Sequence, residues 1–209
     1  QGYLDAGHMA GAFQMLRSSD LIWSRIIRDY LMGERAPAFD LMAWNADTTR
    51  MPYKMHSEYL RKLFLENDLA EGHFNVEGRP VALSDIRQPL FVVGTETDHV
   101  SPWRSVFKLN LLSDTEVTFL LTSGGHNAGI VSEPAHAGRS YRVSTKQQTD
   151  RFDDPETWML KTPVQSGSWW REWANWLVAR SGSLQSLPRM GLAENSPLEN
   201  APGSYVLQS

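Results

Sequence analysis

The chain has 209 residues, of which 41% are hydrophobic and 21% are charged, and this composition excludes a wholly disordered protein. Twenty basic and 24 acidic residues give a net charge of −4 without any basic block, so a nucleic-acid partner has no electrostatic support. Cysteine is absent, which excludes disulfides, thiolate metal sites and a cysteine nucleophile within this chain and makes the cytoplasm the default location. No apolar run reaches the roughly 20 residues of a membrane span, and the histidines lack metal-ligand spacing, so we expect neither a membrane span nor a metal.

The first 75 or so residues have helical patterns. Ser18-Ser19-Asp20 offers N-cap oxygens to a helix over Leu21–Met32, and Gly33 suits its C-terminal end. A second helix is predicted after Pro52, because apolar residues follow at helical spacing, and residues 39–50 between the two helices are predicted to be a loop.

The pattern changes between residues 80 and 130. Residues 88–94 and 116–122 are short, continuous apolar runs, which is typical of parallel strands buried on both faces. Ser101-Pro102 predicts the start of a helix between them, with a hydroxyl cap and proline at the first position. Two such strands cannot form a complete sheet, so the sequence predicts the C-terminal portion of a larger α/β domain. Residues 168–179 are then predicted to be a helix, and 181–200 a linker.

Two side chains could carry chemistry at one edge of this sheet. Asp98 follows the first predicted strand by four residues, and His126 follows the second by four. Parallel strands end at the same edge, where open α/β sheets place their sites. An acid on one loop and a histidine on a later loop match the chain order nucleophile, acid, histidine of α/β-hydrolases. The acid would orient the imidazole, and the imidazole would take a proton from the nucleophile.

Simpler interpretations stay open from the residues alone. An Asp after a strand very often caps a helix or forms an Asx-turn, and the Gly-Gly-His segment is very often only a turn. Glu96 is a rival acid, although it lies nearer to the end of the strand. No Gly-x-Ser-x-Gly elbow is present, so the sequence offers no nucleophile. The tryptophans between 169 and 176 are more often core or interface residues than a polymer-binding patch.

Seven stretches together point to a known family. They are Tyr3-Leu4-Asp5 with His8-Met9-Ala10; Phe13-x-Met15-Leu16-Arg17; Phe39-Asp40-Leu41 with Trp44-Asn45-x-Asp47-x-Thr49; Tyr59-Leu60-Arg61 with Leu65-x-Asn67-x-Leu69; Asp98-His99-Val100-x-Pro102-Trp103; Gly125-His126-x-Ala128-Gly129; and Gly167-Ser168-Trp169-Trp170 with Trp173 and Trp176-Leu177. With these stretches the chain resembles the C-terminal portion of poly(3-hydroxyalkanoate) synthases, the granule-forming polyester polymerases. Its ending resembles that of the single-subunit, class I type.

The resemblance implies a fold and a site. The fold would be α/β: a partial α/β-hydrolase fold with a helical cap or lid subdomain over 1–80, the C-terminal strands of the core over 81–180, and a tail over 181–209. Asp98 and His126 match the catalytic aspartate and histidine of the family. The family's cysteine nucleophile lies in an elbow upstream of the cap and is absent here. Four further positions match substrate-pocket or supporting residues: His99, Trp44, Tyr59 and Asn67.

The resemblance also implies an activity and partners. The parent protein would be an acyltransferase that polymerises (R)-3-hydroxyacyl-CoA into polyhydroxyalkanoate with release of coenzyme A, which is part of the substrate and not a cofactor. Its partners would be the 3-hydroxyacyl-CoA, the growing polyester chain, a second copy bound through the cap, and the surface of cytoplasmic polyester granules. This chain alone would be inactive. Two alternatives stay open: an esterase or depolymerase with an upstream serine, and a non-catalytic module for dimerisation or granule binding.

Overall fold

The computed structural model describes residues 2–4, 6–16, 18–34 and 50–188. The chain divides into two compact units. The first unit comprises residues 1–66 together with 186–209, and the second comprises residues 67–185. The predicted cap boundary near residue 80 stays a prediction, as do the predicted core and tail.

The first unit is mainly helical where it is described. An α-helix spans Ala6–Leu16, and a longer helical run follows as Ser19–Trp23, Ser24–Ile26 and Ile27–Leu31, whose outer two segments have π-helical hydrogen bonding. This run confirms the predicted helix over 21–32. The predicted cap is wrong, because Ser18 itself has helical backbone angles and its side chain makes no capping bond. Gly33 has a φ of +70°, the left-handed conformation that ends a helix.

A short ladder precedes the second predicted helix. Strands β1 (Tyr3–Leu4) and β2 (Met51–Pro52) pair antiparallel. The helix then begins at Tyr53, runs to Glu58 and continues with π-helical bonding over Tyr59–Leu65, which confirms the helix predicted after Pro52. The loop predicted over 39–50 lies, except for its last residue, outside the described residues.

The second unit begins with small elements. A one-turn helix spans Asp68–Glu71, and strands β3 (Phe74–Val76) and β4 (Arg79–Val81) form a hairpin. Glu77 and Gly78 join the two strands with φ values of +50° and +78°, the positive angles that a tight two-residue hairpin turn requires. A 3₁₀ turn over Leu83–Asp85 leads into the main sheet.

The main sheet has four strands in the order β5-β6-β7-β8. Strands β5 (Leu90–Thr95) and β6 (Val117–Thr122) are parallel, which confirms both predicted strands, and β6 is buried along its whole length. Strands β7 (Ser140–Lys146) and β8 (Gln165–Ser166) add antiparallel to this pair. The molecule is therefore of the predicted α/β class, but its sheet is mixed. Strand β7 pairs with the second edge of β6, so two strands that the sequence did not predict extend the sheet on that side.

Helices between and after the strands build the two faces of this sheet. The described helices of this part are Trp103–Phe107, Leu109–Leu112, Pro155–Lys161 and Trp170–Val178. The last confirms the helix predicted over 168–179. The predicted hydroxyl cap at Ser101 is wrong: Pro102 occupies the cap position, and no side chain caps the helix.

Alternate residues of β6 supply the core on opposite faces. Phe119 and Leu121 pack in an aromatic cluster with Trp103, Phe107 and Trp158. Leu120 packs on the other face with Tyr141 and Trp169. This period of two is what a strand buried on both faces requires. Burial of large aromatic rings on both sides fixes β6 firmly, and with it the loop that follows.

The last described residues, Ser181–Pro188, form no regular element, in agreement with the predicted linker over 181–200 as far as it is described. Among the described helices, none has the length and apolar character needed to cross a membrane.

Candidate functional site

The register of the two parallel strands sets the position of the site. Thr95, the last residue of β5, lies beside Thr122, the last residue of β6. The two following loops therefore leave the sheet side by side. Backbone bonds join them further, because Glu96 N donates to Thr122 O at 2.9 Å and Thr97 N donates to Gly124 O at 3.1 Å.

The structure brings Asp98 and His126 together on these loops. Asp98 Oδ2 lies 2.9 Å from His126 Nδ1. The carboxylate is only 7% exposed, whereas the imidazole is 44% exposed. A buried acid beside an accessible ring is the arrangement in which the acid orients the ring and the ring meets a reactant. The rival acid Glu96 is exposed on the same loop, and the hydrogen bond from the ring goes to Asp98.

The other contacts of Asp98 hold its carboxylate in place. Oδ1 accepts hydrogen bonds from the backbone N–H groups of Val100 and Ser101, each at 2.8 Å. The Thr95 hydroxyl donates to Oδ2 at 3.2 Å. Asp98 thus forms the Asx-turn that the sequence left as an alternative, and it contacts the histidine at the same time. One oxygen serves the turn and the other faces the ring.

These hydrogen bonds also determine the charge of Asp98. Burial by itself raises the pKa of the carboxyl group, but hydrogen bonds from the Ser101 backbone, the His126 side chain and the Val100 backbone more than offset this, and the pKa lies below its ordinary value. Asp98 is therefore a carboxylate at neutral pH. A carboxylate can only accept, so the neutral imidazole of His126 carries its proton on Nδ1 and its lone pair on Nε2. This tautomer makes His126 a base at Nε2.

Two glycines let the histidine loop fold tightly. Gly124 has a φ of +105°, which residues with a side chain rarely adopt. A Cβ atom on Gly129 would lie 2.6 Å from the Thr95 methyl carbon and 2.9 Å from Gly125 O. The loop thus approaches β5 as closely as its backbone allows.

The remaining predicted site residues lie elsewhere or are not described. His99 is exposed on the same loop as Asp98. Asn67 is exposed with a φ of +54° at the start of the second unit, and Tyr59 lies in the first unit, 43% exposed. Trp44 lies outside the described residues. The roles assigned to these residues, and the catalytic roles of Asp98 and His126, stay predictions.

Sequence reasoning missed Thr95, which donates to the same carboxylate oxygen that the histidine contacts. The only local signal is a hydroxyl residue that ends a buried strand three positions before an acid. Within the described part of the chain, the His, Asp and Glu side chains form no group of three or more that could hold a metal ion.

Comparison with known proteins finds similarity to proteins named poly(3-hydroxyalkanoate) polymerases. No family model matches the chain. It is 41% identical over 205 residues to a poly(3-hydroxyalkanoate) polymerase subunit of Rhizobium meliloti, covering 98% of this chain and 33% of the relative. It is 35% identical over 209 residues to poly(3-hydroxyalkanoate) polymerase 2 of Ectopseudomonas oleovorans, covering 99% of this chain and 36% of the relative. It is 34% identical over 200 residues to a poly(3-hydroxyalkanoate) polymerase subunit of Cupriavidus necator, covering 95% of this chain and 33% of the relative.

The resemblance inferred from the seven stretches is thereby confirmed. The chain spans about a third of the length of the curated relatives it matches, and that third is their C-terminal part.

Proposed function

We propose that this chain is the C-terminal part of a poly(3-hydroxyalkanoate) polymerase, an acyltransferase, and that it supplies the catalytic base His126 and its orienting acid Asp98. The observation that carries the proposal is the 2.9 Å contact between Asp98 and His126 at the ends of two adjacent parallel strands. It occurs in a chain whose similarity to polymerases extends over 98% of its length.

The proposed reaction has two acyl transfers. A cysteine outside this chain gives its thiol proton to His126 Nε2, and its sulfur attacks the thioester carbonyl of a 3-hydroxyacyl-CoA. The bond to the coenzyme A sulfur breaks, and that sulfur leaves with the proton from His126. In the second transfer, His126 accepts the proton of a 3-hydroxyl group while the oxygen of that group attacks the carbonyl carbon of the enzyme-bound thioester. An ester forms, the bond to the cysteine sulfur breaks, and that sulfur leaves with the proton from His126.

Asp98 serves both transfers through the imidazole. Its carboxylate fixes the ring with Nδ1 protonated and stabilises the positive charge that forms when Nε2 takes a proton. The buried position and its two backbone donors keep the acid from rotating away. In the alternative role, Asp98 would help activate the incoming 3-hydroxyl group for elongation.

The wider architecture follows the same proposal. The main sheet would be the C-terminal side of an α/β-hydrolase core, and among the described residues β5 pairs with a strand on one side only, which leaves an edge for further parallel strands. Residues 1–80 would be a cap that excludes water, since hydrolysis competes with elongation. Several apolar side chains of the first unit are broadly exposed, as a surface that meets an acyl chain or a second copy would be: Met15, Leu16, Tyr30 and Leu31.

The proposed partners are 3-hydroxyacyl-CoA, the growing polyester, a second copy of the protein and the granule surface, in the cytoplasm. Coenzyme A enters as part of the substrate and departs as the leaving group. The two alternatives, a serine esterase and a non-catalytic module, gain no support from the relatives, which are named polymerases.

A chimera tests the proposal. The first two thirds of the Rhizobium meliloti polymerase is joined to this chain in place of its own C-terminal third, and release of coenzyme A thiol from 3-hydroxybutyryl-CoA is followed with a thiol reagent. We expect polymer and thiol release, and a loss of at least about a hundredfold in His126→Ala and Asp98→Asn.

The matched control is His136→Ala. His136 also pairs with a carboxylate, Glu133, at 3.2 Å, but both side chains are exposed and the pair lies within one loop. Its removal should leave the rate unchanged. A folded chimera without activity, or one in which His126→Ala retains the rate of His136→Ala, contradicts the proposal. The 209-residue chain alone should release no thiol, and a rate that His126→Ala abolishes would contradict that expectation.

A further inference from the structure

The loop that carries His126 has an unusual set of hydrogen-bond partners. Within the loop, the backbone N–H groups bond to the loop's own carbonyls: Gly129 N donates to Gly125 O at 2.8 Å, and Ile130 N and Val131 N donate to Asn127 O at 3.1 and 2.9 Å. Carbonyl groups at the end of such a turn need hydrogen-bond donors from outside the turn. Here the donors are side chains that lie 11 or 40 residues later in the sequence.

Three successive carbonyls each receive one side-chain donor. Arg139 Nη2 donates to Ala128 O at 2.7 Å. Trp169 Nε1 donates to Gly129 O at 3.0 Å, and Trp170 Nε1 donates to Ile130 O at 2.9 Å. We call Arg139, Trp169 and Trp170 the carbonyl clamp.

The clamp is itself rigidly held. Trp169 is buried and packs against Leu120 and Tyr141 on one face of the sheet. The Ser168 hydroxyl accepts a hydrogen bond from Trp170 N at 3.1 Å and donates to Ser132 O at the far end of the histidine loop. The two tryptophans stand at the start of the helix Trp170–Val178, and these contacts hold their indoles where they can bond to the loop.

Gly129 connects the carbonyl clamp to the Asp98–His126 pair. The Trp169 indole donates to the Gly129 carbonyl, and the Gly129 Cα lies so close to Thr95 that a Cβ atom on Gly129 would overlap the Thr95 methyl group. The Thr95 hydroxyl bonds to Asp98. A displacement of the loop would therefore move His126 relative to the acid that orients it.

We infer that Arg139, Trp169 and Trp170 are positioning residues, which set the distance between His126 and Asp98 by holding three consecutive loop carbonyls. The importance of this distance rests on the proposed function. The positioning itself is a property of the folded chain and can be measured without a nucleophile or a substrate.

The test uses NMR on the 209-residue chain. The imidazole Nδ1–H of His126, hydrogen-bonded to a carboxylate, gives a downfield proton resonance that His126→Ala identifies. Trp169→Phe and Trp170→Phe keep a six-membered aromatic ring and remove the N–H donors together with the five-membered part of each indole. In the double variant we expect this resonance to broaden or disappear, and the exchange of the Ile130 and Val131 amides to accelerate about tenfold, as loss of supporting hydrogen bonds predicts.

The matched control is Trp176→Phe, because the indole N–H of Trp176 is buried and has no hydrogen-bond partner among the residues that the structure describes. It should leave the resonance and both exchange rates unchanged. A second pair of variants changes a side chain outside the core. Arg139→Met removes the donor to the Ala128 carbonyl and Arg139→Lys keeps an N–H donor, so only Arg139→Met should accelerate amide exchange in the loop.

Two results would overturn the inference. One is an unchanged His126 resonance and unchanged loop exchange in the variants that lack donors. The other is exchange in β6 that accelerates as much as exchange in the loop, since that would show a general loss of stability rather than a local role. An inactive chimera would refute the proposed polymerase function and leave this result intact.

Discussion

Replacement of Thr95 by valine tests the contacts that hold the Asp98 carboxylate. Valine keeps the shape of threonine and removes the hydroxyl that donates to Oδ2 at 3.2 Å. A hydrogen bond to a charged group contributes about 1.5–3 kcal/mol, and this one is longer than the usual O–H···O distance, so we take a value near 1.5 kcal/mol. Thr95 is 2% exposed, so water cannot easily replace the hydroxyl. For a chain of this length the loss corresponds to a decrease of about 3–6 °C in Tm.

The pH dependence distinguishes this contact from general packing. The pKa of Asp98 is lowered in the fold, so the stability that its carboxylate contributes is present above the ordinary value of about 3.9 and is lost as the pH falls through the lower, folded value. We therefore expect Thr95→Val to cost about 1.5 kcal/mol at pH 7 and less than 1 kcal/mol once Asp98 is protonated. Urea unfolding followed by tryptophan fluorescence measures both values, at pH 7 and at a pH below the folded pKa of Asp98, which an NMR titration of the carboxyl group locates.

Thr122→Val is the matched control. Thr122 is the neighbour of Thr95 across the two strands, is fully buried, and donates to the Ser123 carbonyl at 3.4 Å. Its acceptor does not ionise, so its cost should be the same at both pH values. A cost for Thr95→Val that is no larger than that of Thr122→Val at pH 7, or that does not change with pH, would refute the reasoning.

Three further predictions concern the second unit. Gly129→Ala should lower the free energy of unfolding by about 1–3 kcal/mol, because the new Cβ overlaps a threonine methyl group and a backbone oxygen, whereas Gly182→Ala, which meets nothing within 4 Å, should be neutral in the same urea titration. Burial, and then a hydrogen bond to Glu172, raise the pKa of Tyr141 to about 12, so one tyrosine should ionise late in an ultraviolet titration and Glu172→Gln should move that ionisation toward lower pH. The stability that the neutral Tyr141 side chain contributes should be lost as the pH rises from 10 to 12, and ionisation of all tyrosines near pH 10 would contradict this prediction. Trp158→Leu should cost about 3–4 kcal/mol, because this buried ring lies 5.1–6.2 Å from three other aromatic rings and its indole donates to a serine; a cost below 1 kcal/mol in thermal unfolding would show that the aromatic cluster is not the core of this face.

The sequence was sufficient to predict β5 and β6, because a continuous apolar run has few other uses in a chain of ordinary composition. It did not reveal β7, in which only Tyr141 and Val143 are apolar and the other residues are polar. Such a strand owes its structure to pairing with β6 more than to its own residues.

The candidate site, like the sheet, could be predicted only in part from the sequence. Asp98 and His126 could be predicted because their loops follow strands that the sequence identifies. Thr95 could not, since its hydroxyl acts only through a neighbour that the fold supplies. The tryptophans at 169 and 170 were correctly predicted to be near the core, but their hydrogen bonds to a loop 40 residues earlier depend on tertiary structure alone.

The carbonyl clamp has a consequence for how the histidine loop can vary among related chains. Its donors bind main-chain oxygens, which every amino acid carries, so the side chains of Ala128 and Ile130 can change without loss of these bonds. The constraint lies instead on the distant donors and on Gly129. Evolution can therefore alter the chemical character of the surface beside His126 while the position of the imidazole stays the same.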